Sequence, residues 1–269
     1  MVKKLYKHEF LAWLRVVPII FGITMLTAAF HRILQFFETD STYYNIVNGS
    51  AIFLFVVALL VCLAAPIIFG IVRFYKNLFT GEGYLTFTLP VKTTTHLLVK
   101  STTTLVFCIA AVAICLLAGC LITAGEVLVE LCKAAAYLWN QIPDKYVGHL
   151  FGYIAEGCLL LLVATFSTIL LYNFCLCIGQ LAKKNRIMLS VGAYFGYYVC
   201  TQILGTILVI VISVMNANGA LDRYYQFFDK HPLATVHIFM GVGIVWFALL
   251  GLVFWLVSQF ILRKKLNME

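Results

Sequence analysis

Stretches without a single charged residue make up most of the chain, and short polar segments divide them. The charge-free runs cover residues 16–31, 41–72, 101–125, 157–182, 187–221 and 231–262. A helix rises about 1.5 Å per residue, so crossing a bilayer's hydrocarbon core takes about 20 apolar residues. Every run but the first is long enough. The first reaches that length, to about Phe36, when Arg32 extends its head group to the interface. The runs lack the strict alternation of membrane-barrel strands. The pattern therefore predicts an all-α membrane protein with six spans, near 16–36, 51–72, 101–124, 154–178, 188–214 and 236–262, in one transmembrane domain over residues 1–269.

The segments around these spans carry their own signals. In residues 1–15, Val2, Tyr6, Phe10, Trp13 and, just beyond, Val17 recur at helical spacing, with Lys3, Lys7 and Arg15 off the stripe. A basic helix with aromatic anchors suits the headgroup boundary. The same residues also fit a snorkelling end of the first span. Pro66 is expected to kink or divide the second span. Thr93, Thr94 and Thr95 offer caps for the third. Glu126, Glu130 and Lys133, at helical spacing before Pro143, suggest a small helix in the segment that follows. Leu221, Tyr224, Tyr225, Phe227 and Phe228 suit a segment that dips into the interface or re-enters the membrane before the last span.

Composition agrees with the pattern: 63% of residues are hydrophobic and 11% charged. Ordinary soluble domains carry about a quarter charged residues. The charges also set an orientation. With both termini inside, the outer segments keep Arg32, Lys133, Lys145, Arg223 and Lys230, and the rest of the 19 basic residues fall on the inner side. That is the positive-inside bias of a multi-pass protein in a plasma membrane, with cytoplasmic termini. The net charge of +8 is thus a topology signal. A nucleic-acid partner would need a soluble scaffold presenting a basic patch, so none is expected. Lys3, Lys4 and Lys7 precede an apolar run too long for the h-region of a cleavable leader, so the first span is expected to stay.

Most expected chemistry is missing. The sequence has no Gly-Lys dipeptide and hence no phosphate-binding P-loop. His8-Glu9 is not followed by the second histidine of a zinc helix, and the six histidines are scattered, most near span ends. No metal site is expected from them. Eight of the nine cysteines fall inside spans, where they act as small apolar residues, and the Cys175-x-Cys177 pair points to two faces of one helix. No catalytic residue stands out. Glu156 is the one carboxylate close to a span interior. It reads either as a functional intramembrane acid or as a wet residue at the boundary.

The polar island between spans two and three is the most informative segment. It places Phe79, Tyr84, Phe87 and Leu89 outside a span, among Arg73, Lys76, Glu82 and Lys92, with Gly81 and Gly83 around the glutamate and Pro90 as a stop. Aromatic side chains among a few charges resemble the core of a protein interface. A short surface helix suits it better than an unpaired strand; an ordinary inner loop with dipping aromatics is the plainer alternative. The run Glu82-Gly83-Tyr84-Leu85-Thr86 followed by Leu89-Pro90-Val91, between Arg73 and Lys76 at one end and Lys100 at the other, resembles the permease subunits of ATP-binding-cassette exporters of the type-2 family.

The resemblance implies a function that composition alone does not. In that family the loop after span two holds a short coupling helix, which here would comprise Arg73, Lys76, Phe79, Glu82, Gly83, Tyr84, Leu85, Phe87, Leu89 and Pro90. It implies two copies of a separate ATPase chain carrying ATP and Mg, and a second permease chain, identical or homologous. The chain itself would hold no cofactor and have no enzymatic activity alone. Cargo would cross at the permease dimer interface by alternating access. An aromatic wall from Phe53, Phe55, Phe166, Tyr172, Tyr194 and Tyr198 suits an apolar or amphipathic substrate such as a peptide, lipid or drug. The competing classes are an intramembrane enzyme, a protease or a lipid or acyl transferase, and a channel or scaffold subunit.

Overall fold

The computed structural model describes residues 2–37, 39, 41–80, 93–123, 125–126, 129–130, 132–133, 136–137, 144–182 and 184–264, without the side chains of 144–147 and 264. Among these residues all regular structure is helical. In chain order the helices are α1 (Val2–Leu14), α2 (Val17–Gln35), α3 (Thr42–Phe79), α4 (Thr93–Ile122), α5 (Asp144–Gly179), α6 (Arg186–Ala217), α7 (Asp222–Lys230) and α8 (Pro232–Lys264). Six helical stretches are long and apolar enough to cross a membrane. The chain is accordingly a multi-pass membrane protein by length and composition. In the 125–137 segment, the described Glu126, Val129, Glu130, Cys132, Lys133, Ala136 and Tyr137 are helical.

Three helices outrun the charge-free stretches that predict them, α3 past residue 72, α4 before 101 and α5 before 157. Hydropathy marks where a helix meets lipid, whereas backbone hydrogen bonding continues into the water on either side. Thus α3 begins at Thr42, well before the expected span, and ends at Phe79 beside the island. Pro66 does not divide α3, which runs through it as one helix. The ring is buried, and contacts with neighbouring helices support the freed backbone in such a setting. The threonines at 93–95 lie within α4.

The helices sort into two compact units, residues 1–143 and 144–269. In unit 1, α2, α3 and α4 pack pairwise and α1 lies against α4 and α2. Four successive hydroxyls near the start of α4 are satisfied within their own helix. Ser101, Thr102, Thr103 and Thr104 each donate to the carbonyl one turn back, on Leu97, Leu98, Val99 and Lys100, at 2.7–2.9 Å. Such back-bonding lets polar side chains sit in an apolar bundle. Arg32, at the far end of α2, donates to Gln35 (2.8 Å) and to the Ile122 carbonyl at the end of α4 (3.4 Å). Its guanidinium lies 5.1 Å from the centre of the Phe36 ring.

In unit 2, α5 packs along α8, with α6 against α5 and α7 against α8. Contacts pair 152 with 237, 160 with 243 and 167 with 251, so residue numbers climb together and α5 runs parallel to α8. Leu170, Leu171, Cys175 and Phe254 form its core, with Phe166, Phe174, Tyr197 and Trp255 packed around them. Cys175 thus serves as a packing residue. The turn from α5 into α6 is tight. A side chain at Gly179 would collide with Ser190 Oγ and meet the Arg186 carbonyl at 2.6 Å, so only glycine fits there.

Candidate functional site at the foot of unit 1

The C-terminal end of the apolar stripe of α1 faces protein. Trp13 is 1% exposed; it stacks on Phe107 of α4 (centroids 4.8 Å apart, 17° between planes) and meets Phe69 of α3 edge-on (4.9 Å, 82°). Val17 is buried in the same cluster. Phe10 also contacts the Phe107 ring, at 5.1 Å. The Tyr6 hydroxyl donates to Thr102 Oγ1 (2.9 Å), whose own proton is given to the Leu98 carbonyl. The helix breaks at Arg15 and Val16 before α2 begins. Trp13 and Val17 are thus covered by protein, whereas Val2, Tyr6 and Phe10 of the same stripe are exposed.

Glu9 shares that stripe. A carboxylate on an apolar face is costly unless it is paired. Its two oxygens accept from Arg73 Nε (2.6 Å) and Nη2 (3.2 Å), the two-point geometry that a guanidinium makes with a carboxylate. Lys100 Nζ lies 3.4 Å from Oε1 and 3.5 Å from Oε2. The side chains are 6%, 18% and 9% exposed for Glu9, Arg73 and Lys100, so this is a buried three-residue ion cluster. Burial pushes the Glu9 carboxyl up. The Arg73 hydrogen bond and the charges of Lys100 and Arg73 more than offset that, holding the group below the ordinary carboxylate range. One carboxylate thereby ties α1 to the end of α3 and the start of α4.

The cluster brackets the island: Arg73 precedes it on α3 and Lys100 follows it on α4. Of the expected coupling residues, Arg73 is in the cluster, Lys76 is exposed on the last turns of α3, and Phe79 packs near Phe74 (5.8 Å) and Tyr75 (6.0 Å). Glu82, Gly83, Tyr84, Leu85, Phe87, Leu89 and Pro90 lie outside the described residues. The residue that Arg73 holds among the described positions is Glu9. Sequence reasoning passed over Glu9 as half of an incomplete zinc motif. Its signal was there: it is the one acid in the basic N-terminal segment and it falls on the apolar stripe.

The expected aromatic wall does not form one cluster within either unit. Phe53 and Phe55 are on α3 in unit 1, whereas Phe166, Tyr172, Tyr194 and Tyr198 are in unit 2. Tyr172 and Tyr194 meet at 5.8 Å, and Phe166 packs on the core of unit 2. Glu156, half-buried near the start of α5, accepts from His237 Nδ1 of α8 at 2.8 and 2.9 Å. The sequence offered Glu156 alone and treated the histidines as separate boundary residues. Among the described residues, no group of three or more histidines, cysteines and acids is placed to hold a metal ion. No protein-family model matches the chain, and no curated protein and no solved structure is similar to it.

Proposed function

We propose that the chain is the membrane-spanning subunit of an ATP-driven exporter of the type-2 ATP-binding-cassette kind, in a plasma membrane with both termini in the cytoplasm. The observation that carries this reading is the Glu9–Arg73–Lys100 cluster, which joins the three elements around the segment that resembles a coupling helix. An ATPase gripping that segment pushes on the end of α3 and the start of α4. Through Glu9 the same push reaches α1, so the foot of unit 1 responds as one body. The chain has no phosphate-binding loop, and nucleotide and Mg belong to the partner. Two ATPase chains and two permease chains make up the transporter, and the apolar character of the spans suits an apolar or amphipathic cargo.

One observation favours a second reading, an intramembrane hydrolase: Glu156 and His237 converge from neighbouring helices. Among the described residues no hydroxyl or thiol is hydrogen-bonded to that imidazole as a nucleophile would be, and the transport reading leads. Co-expression with an ATPase chain of the ATP-binding-cassette class tests it. The two chains are expected to co-purify in equal numbers, with ATP turnover only in the complex. ATP hydrolysis by the isolated chain, or its failure to bind any ATPase of that class, would overturn the proposal.

A further inference from the structure

Where α5 and α8 begin, three titratable side chains form a hydrogen-bonded line. His237 Nδ1 sits 2.8 and 2.9 Å from the two oxygens of Glu156, and His237 Nε2 lies 3.1 Å from Nδ1 of His149. The order of protons along the line follows from chemistry. An ionised carboxylate only accepts, so His237 Nδ1 carries a proton. The Nε2 of a neutral His237 is then a bare acceptor, and His149 must donate to it from Nδ1. That leaves the Nε2 lone pair of His149 at the end of the line, on an exposed residue. Each N–H points toward Glu156.

The central ring is held in place. Gly152 has no Cβ, and one added there would lie 3.0 Å from His237 Cε1, so His237 nestles against the α5 backbone. The Tyr153 ring covers it at 4.4 Å. The Tyr153 hydroxyl donates to the Leu233 carbonyl (2.9 Å) and takes no part in the line. From α7, packed on α8, the nearest titratable groups along the chain are Asp229, Lys230 and His231. The His231 ring lies by Phe227, and among the described residues Glu156 has its ion pair with His237. The ionisable side chains of α6, which packs on α5, are Arg186, Tyr194, Tyr197, Tyr198 and Cys200, all in its first half, and Tyr194 faces Tyr172.

We infer that Glu156, His237 and His149 form a proton relay, with His149 as the port and His237, paired with the Glu156 carboxylate, as the terminus. A proton arriving at His149 Nε2 releases the one on His149 Nδ1 to His237 Nε2. His237 keeps its Nδ1 proton and becomes an imidazolium held by the Glu156 carboxylate, because the imidazole is the stronger base of the two. One proton enters and one is bound, His149 ends neutral in the opposite tautomer, and the reverse sequence returns the proton to the surface. The site binds a proton as its ligand, and the inference does not depend on the transport reading.

The test uses the full chain in nanodiscs with isotope-labelled histidine and glutamate. Nitrogen spectra are expected to show His237 as the Nδ1–H tautomer at neutral pH. When the site takes up a proton, His237 should show both ring nitrogens protonated and His149 should pass to the Nε2–H tautomer. His237→Gln is expected to abolish that tautomer change at His149. His149→Gln leaves the Glu156–His237 pair in place but should slow proton exchange at His237 at least tenfold. A His237 found as the Nε2–H tautomer, or a His149 tautomer change that persists in His237→Gln, would overturn the relay. So would exchange at His237 that is unchanged in His149→Gln.

Discussion

Glu9→Ala is expected to undock α1 and cost about 3–5 kcal/mol, because it leaves Arg73 and Lys100 buried without their shared carboxylate. The Glu9 side chain is 6% exposed, so water cannot take its place without opening the contact. The checks are thermal unfolding in nanodiscs and tryptic cleavage at Lys7 and Arg15, which should speed up at least tenfold as the helix lifts. Replacing Glu9, Arg73 and Lys100 together by methionine should recover much of the loss, since the penalty lies in the uncompensated charge. Acid should act like the alanine variant. The folded-state carboxyl is held low, so its stabilisation is complete above the ordinary carboxylate range, near pH 4, and disappears as pH falls through the lowered value. Undocking already at pH 6 would contradict the pairing.

Trp13→Ala should cost a similar amount, about 3–5 kcal/mol, through the cavity it leaves between Phe69 and Phe107. The two aromatic contacts add roughly 0.5–1.5 kcal/mol each beyond simple burial. Trp13→Phe keeps a ring on Phe107 and is expected to retain most of the stability. The combination with Glu9→Ala is informative. Both changes release the same helix, so the double variant should cost little more than the worse single one, far short of the sum. Full additivity, read from the same unfolding curves, would mean that the aromatic and ionic contacts hold different elements.

The spans were legible because charge-free length is a direct consequence of the solvent they cross, and all six appear as helices. Their ends were not, since α3 and α4 keep their hydrogen bonding well past the apolar stretch. The amphipathic stripe of α1 was also readable, but hydrophobicity alone does not say whether lipid or protein covers it. Trp13 turned out to be covered by Phe69 and Phe107, residues far away in sequence. The ion cluster and the Glu156–His237–His149 line share that difficulty. Each is made of residues from different helices, and their meeting depends on how the bundle packs. A lone acid on an apolar stripe and a lone acid near a span end were the traces each left in the sequence.

The central claim is that an ATPase grips this chain at the foot of unit 1. Photo-crosslinking groups placed at Phe79, at the end of α3, and at Phe227, on α7, test it in cells that co-express an ATPase of the ATP-binding-cassette class. The account predicts adducts with the ATPase from position 79 and none from position 227. Adducts from 227, or ATPase binding without any adduct at 79, would contradict it.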